Sequence, residues 1–285
     1  MMKIKSKYRF FLLFSLLLSS QFVAAVQNEL TDKQTAELQQ QGKLVWSDLY
    51  SSDIDASTEF YSKTFGWTVK KFGKNNDRYH IFYDGVEPIA GVLSRESRRN
   101  KTEKALWIGS FTANNVQAVV KAAAEQKATV IIKPHDFKLY GKRAVIADPQ
   151  GGIVALLELE PNHEQHKKIS KKWQWAQLFS TDTSKAAAFY QHSLGFESEE
   201  IANNKKSYYL SQQGQVQASV VKLPASFAQR DRWVNFMEVD DLPALLKKVQ
   251  ENGGEVIYQP NESEQLAIIS DPNGALLGLT AWGSE

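Results

Sequence analysis

The stretch WSDLYSSDIDASTEFYSKTFG, residues 46–66, indicates the architecture of this protein because a related copy of it recurs later in the chain. The second copy is WAQLFSTDTSKAAAFYQHSLG, residues 175–195, and identical residues recur in it at a constant offset of 129. The repeated residues include Trp46, Asp53, Phe60, Tyr61 and Gly66 of the first copy. Self-similarity at a fixed spacing predicts two tandem copies of one structural unit.

Each copy begins with the alternation that is typical of a strand and continues into a capped helix. Trp46, Asp48 and Tyr50 share one face of the first strand, because successive side chains point to opposite sides. Asp53 and Asp182 stand where an N-cap side chain accepts hydrogen bonds from first-turn amides. An apolar stripe follows in both copies, so both helices are predicted to pack on a sheet.

A weaker repeat lies inside each copy. Trp107 and Trp233 each begin a short apolar run, and helix-like segments follow at 116–126 and 242–252. Short β-rich runs come after the helices, at 67–71, 79–83 and 88–93 in the first module and at 129–132, 143–147 and 153–159 in the second. Each module is therefore predicted to be βαβββ, which makes the chain an α+β protein with two pairs of modules. The motif Asp-Pro-x-Gly, at 148–151 and 271–274, predicts a hairpin turn before the last strand of each pair.

The N-terminal segment predicts export. Four basic residues precede an apolar run at 10–18, and Val23-Ala24-Ala25 offers a cleavage site for a signal peptidase. An uncleaved anchor is the alternative, but the apolar run is shorter than the roughly 20 residues that span a bilayer. Cleavage after Ala25 changes the formal net charge from +2 to −2, so we expect no nucleic-acid partner. The expected location is periplasmic or secreted.

The predicted organisation follows from the repeat and the segments between its copies. It is a signal peptide at 1–25, a polar arm at 26–43, a first domain at 44–160, a linker at 161–172 and a second domain at 173–285. The chain has no cysteine, so the core and not disulfides must hold each domain together. His163 and His166 lie in the linker, and nothing nearby in the sequence completes a metal set.

The order of these motifs resembles the vicinal oxygen chelate superfamily, which includes glyoxalase I, extradiol dioxygenases and bleomycin resistance proteins. The resemblance rests on paired βαβββ modules, an aspartate-capped helix with Phe-Tyr and then Gly, and the closing Asp-Pro-x-Gly. It covers about residues 44–160 and 173–283. It implies that each domain forms a cupped mixed sheet with helices outside and a ligand inside the cup. Metal-using members carry His or Glu on the first strand, about seven residues before the acidic cap, and Glu soon after Asp-Pro-x-Gly.

This chain lacks those metal ligands at every position that the resemblance predicts. Seven residues before the expected caps Asp53, Asn114, Asp182 and Asp240 stand four tryptophans, Trp46, Trp107, Trp175 and Trp233. Seven residues after Asp148 and Asp271 stand Ala155 and Gly278. An indole N–H donates a hydrogen bond but has no lone pair for a metal. We therefore expect neither a metal nor another cofactor.

The tryptophans and their neighbours define the candidate site residues. Ligand contacts are predicted from Trp46, Tyr50, Trp107, Trp175, Gln177, Trp233 and Asn235, because aromatic walls with a few fixed polar groups are typical of small-molecule pockets. A buried Asp48 needs a ligand, a water or an Arg or Tyr partner. Asp48 is also the candidate catalytic residue, as a general base enclosed by aromatic side chains, and His80 is the second candidate.

These observations favour an exported protein that binds a small organic molecule in one or both tryptophan-lined cups without a metal. A plain alternative is that the tryptophans fill the cups and serve only as core. The second functional hypothesis is a lyase, isomerase or dioxygenase type of enzyme with an atypical site that uses Asp48. The third is an interaction module without a small ligand. No stable membrane insertion is expected after cleavage of the signal peptide.

Overall fold

A computed structural model gives the fold of the chain. It describes residues 41–72, 79–94, 105–160, 169–202, 204–224, 230–258 and 265–281. All of these described residues lie in one compact unit. The predicted signal peptide, nearly all of the polar arm, and the linker histidines His163 and His166 lie outside the described residues.

Each repeat builds one eight-stranded sheet. The first sheet contains β1 (Leu44–Ser51), β2 (Thr68–Lys71), β3 (Tyr79–Asp84), β4 (Glu87–Ser94), β5 (Leu106–Thr112), β6 (Thr129–Phe137), β7 (Gly141–Ala147) and β8 (Ile153–Leu159). The second contains β9 (Trp173–Ser180), β10 (Glu197–Glu200), β11 (Tyr208–Gln212), β12 (Gln215–Lys222), β13 (Arg232–Glu238), β14 (Glu255–Tyr258), β15 (Leu266–Ser270) and β16 (Leu276–Thr280). The orders are β2-β3-β4-β1-β5-β8-β7-β6 and β10-β11-β12-β9-β13-β16-β15-β14. The identical orders confirm the predicted α+β fold of two tandem domains with paired βαβββ modules.

One helix follows the first strand of each module. They are α1 (Ile54–Phe65), α2 (Val116–Glu125), α3 (Thr183–Leu194) and α4 (Leu242–Glu251). Asp53 and Asp182 are the N-caps of α1 and α3, as predicted, and each side chain accepts a backbone N–H three residues on. The other two caps are Asn115 and Asp241, one residue later than expected. The sequence offers two adjacent capping residues at each of these sites, and only the path of the preceding strand selects between them.

The two faces of each sheet have different surroundings. We call the face that carries Trp46, Asp48 and Tyr50, and the matching face of the second sheet, the cup faces. The opposite faces, which we call the joint faces, carry the packed helices; Leu49, for example, lies in one apolar cluster with residues of all four helices. The joint faces also pack on each other, with the rings of Phe111 and Trp233 5.2 Å apart. The cup faces therefore point away from one another.

None of the helices in the described ranges combines the length and apolar character needed to cross a membrane.

Candidate functional site

A hydrogen-bonded group of three side chains lies on the cup face of the first sheet. The Tyr79 hydroxyl donates to Oδ1 of Asp48 at 2.7 Å. The indole Nε1 of Trp46 lies 3.1 Å from the same Oδ1 and 3.2 Å from the Tyr79 oxygen, so it donates to both. Burial, reinforced by the charge of Asp48, raises the pKa of Tyr79 well above its ordinary value. Tyr79 thus stays a neutral donor to a buried carboxylate.

The second carboxylate oxygen of Asp48 forms an ion pair with the guanidinium of Arg143. Both side chains are buried, with 4% of Arg143 and none of Asp48 exposed. Burial alone would lower the pKa of Arg143, but the attraction of Asp48 together with Tyr50 and Tyr79 raises it above the ordinary value. The sequence indicated that Asp48 needs an Arg or Tyr partner, and the structure supplies one of each.

This ion pair links the two modules of the first domain across the cup. Arg143 lies on β7, three strands away from β1 in the sheet order. Neighbouring strands are about 4.8 Å apart, so a flat sheet would separate the two backbones by roughly 14 Å. The contact therefore requires the sheet to curve, and the side chains of Asp48 and Arg143 meet inside the concavity.

Aromatic side chains from the β6–β7 hairpin fill the remaining space in the first cup. The Tyr140 ring packs edge-on against Trp46, with 5.1 Å between centroids, and the Phe137 ring lies 5.2 Å from the guanidinium carbon of Arg143. Trp46 and Tyr140 are completely buried. Gly91 on β4 gives the group room, because a Cβ there would stand 1.9 Å from Oδ1 of Asp48. The first cup is filled by its own side chains, which agrees with the plain alternative for this domain. Tyr50 lies at its margin, half-buried beside Arg143.

The second cup has a different chemistry at the equivalent positions. Gln177 stands where the first domain has Asp48, at the offset of 129 residues. Leu266 replaces Arg143, since both lie five residues before Asp-Pro-x-Gly and pair with the last strand of their domain. Ser219 replaces Gly91, and its hydroxyl donates to Oε1 of Gln177 at 3.1 Å. The charged link of the first cup is therefore absent from the described part of the second.

Side chains on the cup face of the second sheet remain partly accessible. Trp175, Gln177 and Phe179 on β9 are half-buried, and Trp175 makes an edge contact with Tyr209 at 6.4 Å between ring centroids. Tyr209 is 39% exposed. Trp46, the counterpart of Trp175, is instead completely buried. Of the two cups, the second is therefore the one whose aromatic and amide side chains on the first strand remain partly accessible.

The structure corrects the placement of Trp107, Trp233 and Asn235. All three lie on the joint faces and not in the cups. Trp107 pairs in register with Leu49, and Trp233 with Leu178, so these residues share the helix-packed side of their sheets. Asn235 is fully buried in the joint, where its Nδ2 donates to the Ser47 hydroxyl of the other domain at 3.0 Å.

The one-residue shift of the helix caps explains this error. Seven residues before the true caps Asn115 and Asp241 stand Ile108 and Val234, not Trp107 and Trp233. Because the side-chain period of a strand is two, an offset of one residue moves a side chain to the opposite face. The four tryptophans are therefore two different pairs, one on the cup faces and one in the joint.

The joint tryptophans belong to two symmetry-related hydrogen-bonded chains that cross between the domains. Nε1 of Trp107 donates to the hydroxyl of Tyr61 at 2.7 Å, and that hydroxyl lies 3.4 Å from Oδ2 of Asp271 in the other domain. In the second chain, Trp233 donates to Tyr190 at 2.8 Å, and Tyr190 donates to Asp148 at 2.9 Å. The repeated Tyr, Trp and Asp-Pro-x-Gly residues thus act together to hold the domains against each other.

Burial in the joint affects both aspartates of these chains. It raises the pKa of Asp271 to about 6, although backbone amides and Tyr61 oppose the shift, and it raises the pKa of Asp148 as well. Each aspartate also closes its predicted turn, since Oδ1 accepts backbone N–H groups two and four residues on.

Counting from the observed helix caps also gives no set of metal ligands. The first-strand positions are now Trp46, Ile108, Trp175 and Val234, and the last-strand positions are Ala155 and Gly278. These side chains offer no oxygen, sulfur or imidazole lone pair, whereas a divalent metal needs several such donors. Within the described ranges no three His, Asp or Glu residues cluster as metal ligands would. The residues present therefore do not fit the metal that the fold implies.

Comparison with known proteins agrees with this architecture. A sequence profile of the Glyoxalase/Bleomycin resistance protein/Dioxygenase superfamily matches residues 43–156 and 172–279. The chain belongs to this superfamily. It is 25% identical over 248 residues to "Putative glyoxylase CFP32" of Mycobacterium tuberculosis, covering 84% of this chain and 94% of the relative. It is 24% identical over 252 residues to anthracycline biosynthesis protein DauV of a Streptomyces species, covering 82% and 91%.

A solved structure shows the same fold in this superfamily. The Mn(II)-bound glyoxalase from Novosphingobium aromaticivorans superposes with a TM-score of 0.58 and 12% sequence identity, over 85% of this chain and 82% of that protein. At this identity the likeness concerns the fold alone.

Sequence reasoning missed three residues of the cups. Tyr79 and Arg143 lie 31 and 95 positions from Asp48, and only the curved sheet brings them to it. Arg232 begins β13 and pairs in register with Phe179, which places it at the rim of the second cup. The need for a partner at a buried Asp48 was the one available signal.

Proposed function

We propose that this superfamily member binds a small organic molecule in its second cup without using a metal. The observation that carries the proposal is the contrast between the cups. The first is filled by the buried Asp48–Arg143 pair and its aromatic cover, whereas the second keeps Trp175, Gln177 and Phe179 partly accessible. Aromatic walls with a few polar groups are typical of small-molecule sites.

The proposal narrows the predicted ligand contacts to Trp175 and Gln177. Trp46 and Tyr50 lie on the cup face of the first domain, where other side chains of the protein occupy the space. Among the relatives, one is named as a glyoxylase and one for anthracycline biosynthesis. These names support a small organic ligand, and they differ too much to identify it.

A fluorescence titration tests the second cup. The neutral planar probe 1-naphthamide should quench tryptophan emission with saturation in the wild type, and Trp175→Ala should weaken its binding at least tenfold, because a buried aromatic contact is worth more than about 1.4 kcal/mol. Tyr50→Phe is the matched control, because Tyr50 is the first-cup equivalent of Phe179. This variant should bind 1-naphthamide as tightly as the wild type does. Binding that depends on Tyr50 and not on Trp175 would place the ligand in the first cup and refute the proposal.

We also propose that the mature protein is exported and begins near Val26. Basic residues, an apolar run and a Val-Ala-Ala site at 23–25 support this location. N-terminal sequencing of the protein from the periplasmic fraction should start at or next to Val26. Recovery of an intact Met1 terminus from the membrane fraction would instead identify an anchor.

An enzymatic role for Asp48 is the second candidate, because relatives carry the glyoxylase name and Asp48 is a buried carboxylate beside a tyrosine. Its oxygens are already engaged by Trp46, Tyr79 and Arg143. A general base must reach a substrate proton, so this candidate requires the first cup to open. Metal analysis of protein purified without chelators, and assays of Asp48→Asn for lyase, isomerase and dioxygenase activity, would distinguish the two functions.

A further inference from the structure

The rim of the second cup carries an arginine, Arg232, that has no charged partner among the described residues. Arg232 pairs in register with Phe179, and the next residue, Trp233, pairs with Leu178 of the joint face. Alternation along the strands therefore places Arg232 on the cup side. Arg232 is half-buried, and no carboxylate of the described residues lies within ion-pairing distance of it.

In the first cup, by contrast, a buried arginine has a carboxylate partner. Arg143 is matched by Asp48 and by the neighbouring tyrosines Tyr50 and Tyr79. At the first-domain position equivalent to Arg232 stands an uncharged residue, Leu106, which pairs with Tyr50 in the same register. A guanidinium at this position is thus particular to the second cup, and the same sheet architecture forms in the first domain without a cation there.

The surroundings of Arg232 further favour an anion. Burial and the nearby charge of Arg230 both lower the pKa of Arg232, so each disfavours its positive charge. An anionic ligand would reverse this penalty, because it supplies the missing opposite charge and accepts guanidinium hydrogen bonds in pairs.

Gln177 adds a second donor that faces the same space. Its Oε1 accepts from Ser219, and this bond leaves the Nε2 hydrogens for another acceptor. Gln177 pairs with Val234, so Arg232 is its diagonal neighbour on the adjoining strand. Diagonal neighbours have Cβ atoms roughly 7–8 Å apart, which lets two long side chains converge on one group.

The aromatic residues beside Gln177 set the shape of the rest of the ligand. Trp175 and Phe179 are two residues away on either side of it, and a strand rises about 3.4 Å per residue. The backbone positions of Trp175 and Phe179 are therefore each roughly 7 Å from that of Gln177. This distance is comparable with the length of a one- or two-ring aromatic system. Val234 and Phe236 provide an apolar floor on the neighbouring strand.

We infer that the second cup selects a planar aromatic carboxylate, with its carboxylate between Arg232 and Gln177 and its ring system against Trp175 and Phe179. This inference rests on the proposed function, and it adds the charge and the orientation of the ligand.

The test compares two probes that share one ring system. The wild type should bind 1-naphthoate about tenfold to a hundredfold more tightly than neutral 1-naphthamide, the range expected for hydrogen bonds to a charged group. Arg232→Gln should reduce this preference to less than about threefold while leaving the affinity for 1-naphthamide unchanged. Arg232→Lys, which keeps the charge, should retain part of the preference and guards against a folding defect in the first variant.

Lys222→Gln is the matched control for charge. It removes one positive charge from β12, which β9 separates from the strand of Arg232, and Lys222 pairs with Ser180 and donates to the Thr181 carbonyl, away from the cup face. It should preserve the preference for 1-naphthoate. Equal affinities for the two probes in the wild type, or a preference that survives in Arg232→Gln, would overturn the inference and leave the proposed binding intact. Failure of both probes to bind would overturn the proposed function and this inference together.

Discussion

Removal of the Arg143 guanidinium should strongly destabilise the protein, because it breaks the buried ion pair of the first cup. Arg143→Leu would leave Asp48 fully buried, with hydrogen bonds from Trp46 and Tyr79 but without its counter-charge. Breaking a buried pair by removing one partner costs about 3–5 kcal/mol, because an uncompensated charge remains. For a chain of this size that loss corresponds to a fall in melting temperature of roughly 10 °C.

The second domain supplies the matched control. The double variant Asp48→Gln and Arg143→Leu gives the first cup the pair that the second cup already has in Gln177 and Leu266. Replacing both members of a buried pair by neutral groups is often close to neutral. The double variant should therefore recover to within about 1–2 kcal/mol of the wild type, despite the loss from Arg143→Leu alone.

Urea and thermal unfolding of the wild type, both single variants and the double variant measure this coupling. A double variant as unstable as the sum of the two single variants would refute the reasoning, because it would show that Asp48 and Arg143 contribute independently. A loss below about 1 kcal/mol for Arg143→Leu would refute it as well, because that value is typical of an exposed ion pair.

Three further predictions concern the close packing of the cup and the chemistry of the joint. Gly91→Ala should cost about 1–3 kcal/mol of unfolding free energy, since its Cβ would stand 1.9 Å from Oδ1 of Asp48; an unchanged urea midpoint would contradict this contact. Tyr61→Phe and Tyr190→Phe should each cost about 1–3 kcal/mol, because each leaves a buried indole N–H without its acceptor, and wild-type melting temperatures in both would disprove the role of the hydroxyls. Burial raises the pKa of Asp271 from 3.8 to about 6, so between these values the folded protein holds a proton that the unfolded chain releases. The protonated Asp271 therefore favours the folded state fully below the unfolded pKa, and this contribution is lost as pH rises through about 6. Relative to Asp271→Asn, the wild type should lose up to about 3 kcal/mol between pH 4 and 7, and parallel pH profiles of the two proteins would argue against it.

The helix caps show how far local reasoning reaches in this chain. The sequence predicted the caps Asp53 and Asp182 correctly, although Ser52, Thr181 and Thr183 beside them can also cap a helix. At the second and fourth helices, Asn114-Asn115 and Asp240-Asp241 each offer two adjacent residues that could cap the helix. Counting back from the first residue of each pair predicted that Trp107 and Trp233 line the cups, whereas the caps are Asn115 and Asp241 and both tryptophans lie in the joint. An error of one residue is small for a helix boundary but reverses the face of a strand residue.

The repeat, the βαβββ order of each module and the lack of metal donors at Trp46, Trp175, Ala155 and Gly278 could all be predicted from the order of residues alone. These depend on local periodicity, on turn and cap residues, and on the side-chain types at the donor positions, all of which the chain carries in its order of residues. Only the folded structure shows that Arg143 reaches Asp48 across three strands and that the joint tryptophans belong to chains of tyrosines and aspartates from both domains. Only the folded structure also shows that the first cup is filled while the second stays partly accessible. Sheet curvature and the packing of two joint faces bring together residues 42 to 210 positions apart, and no local pattern encodes those distances.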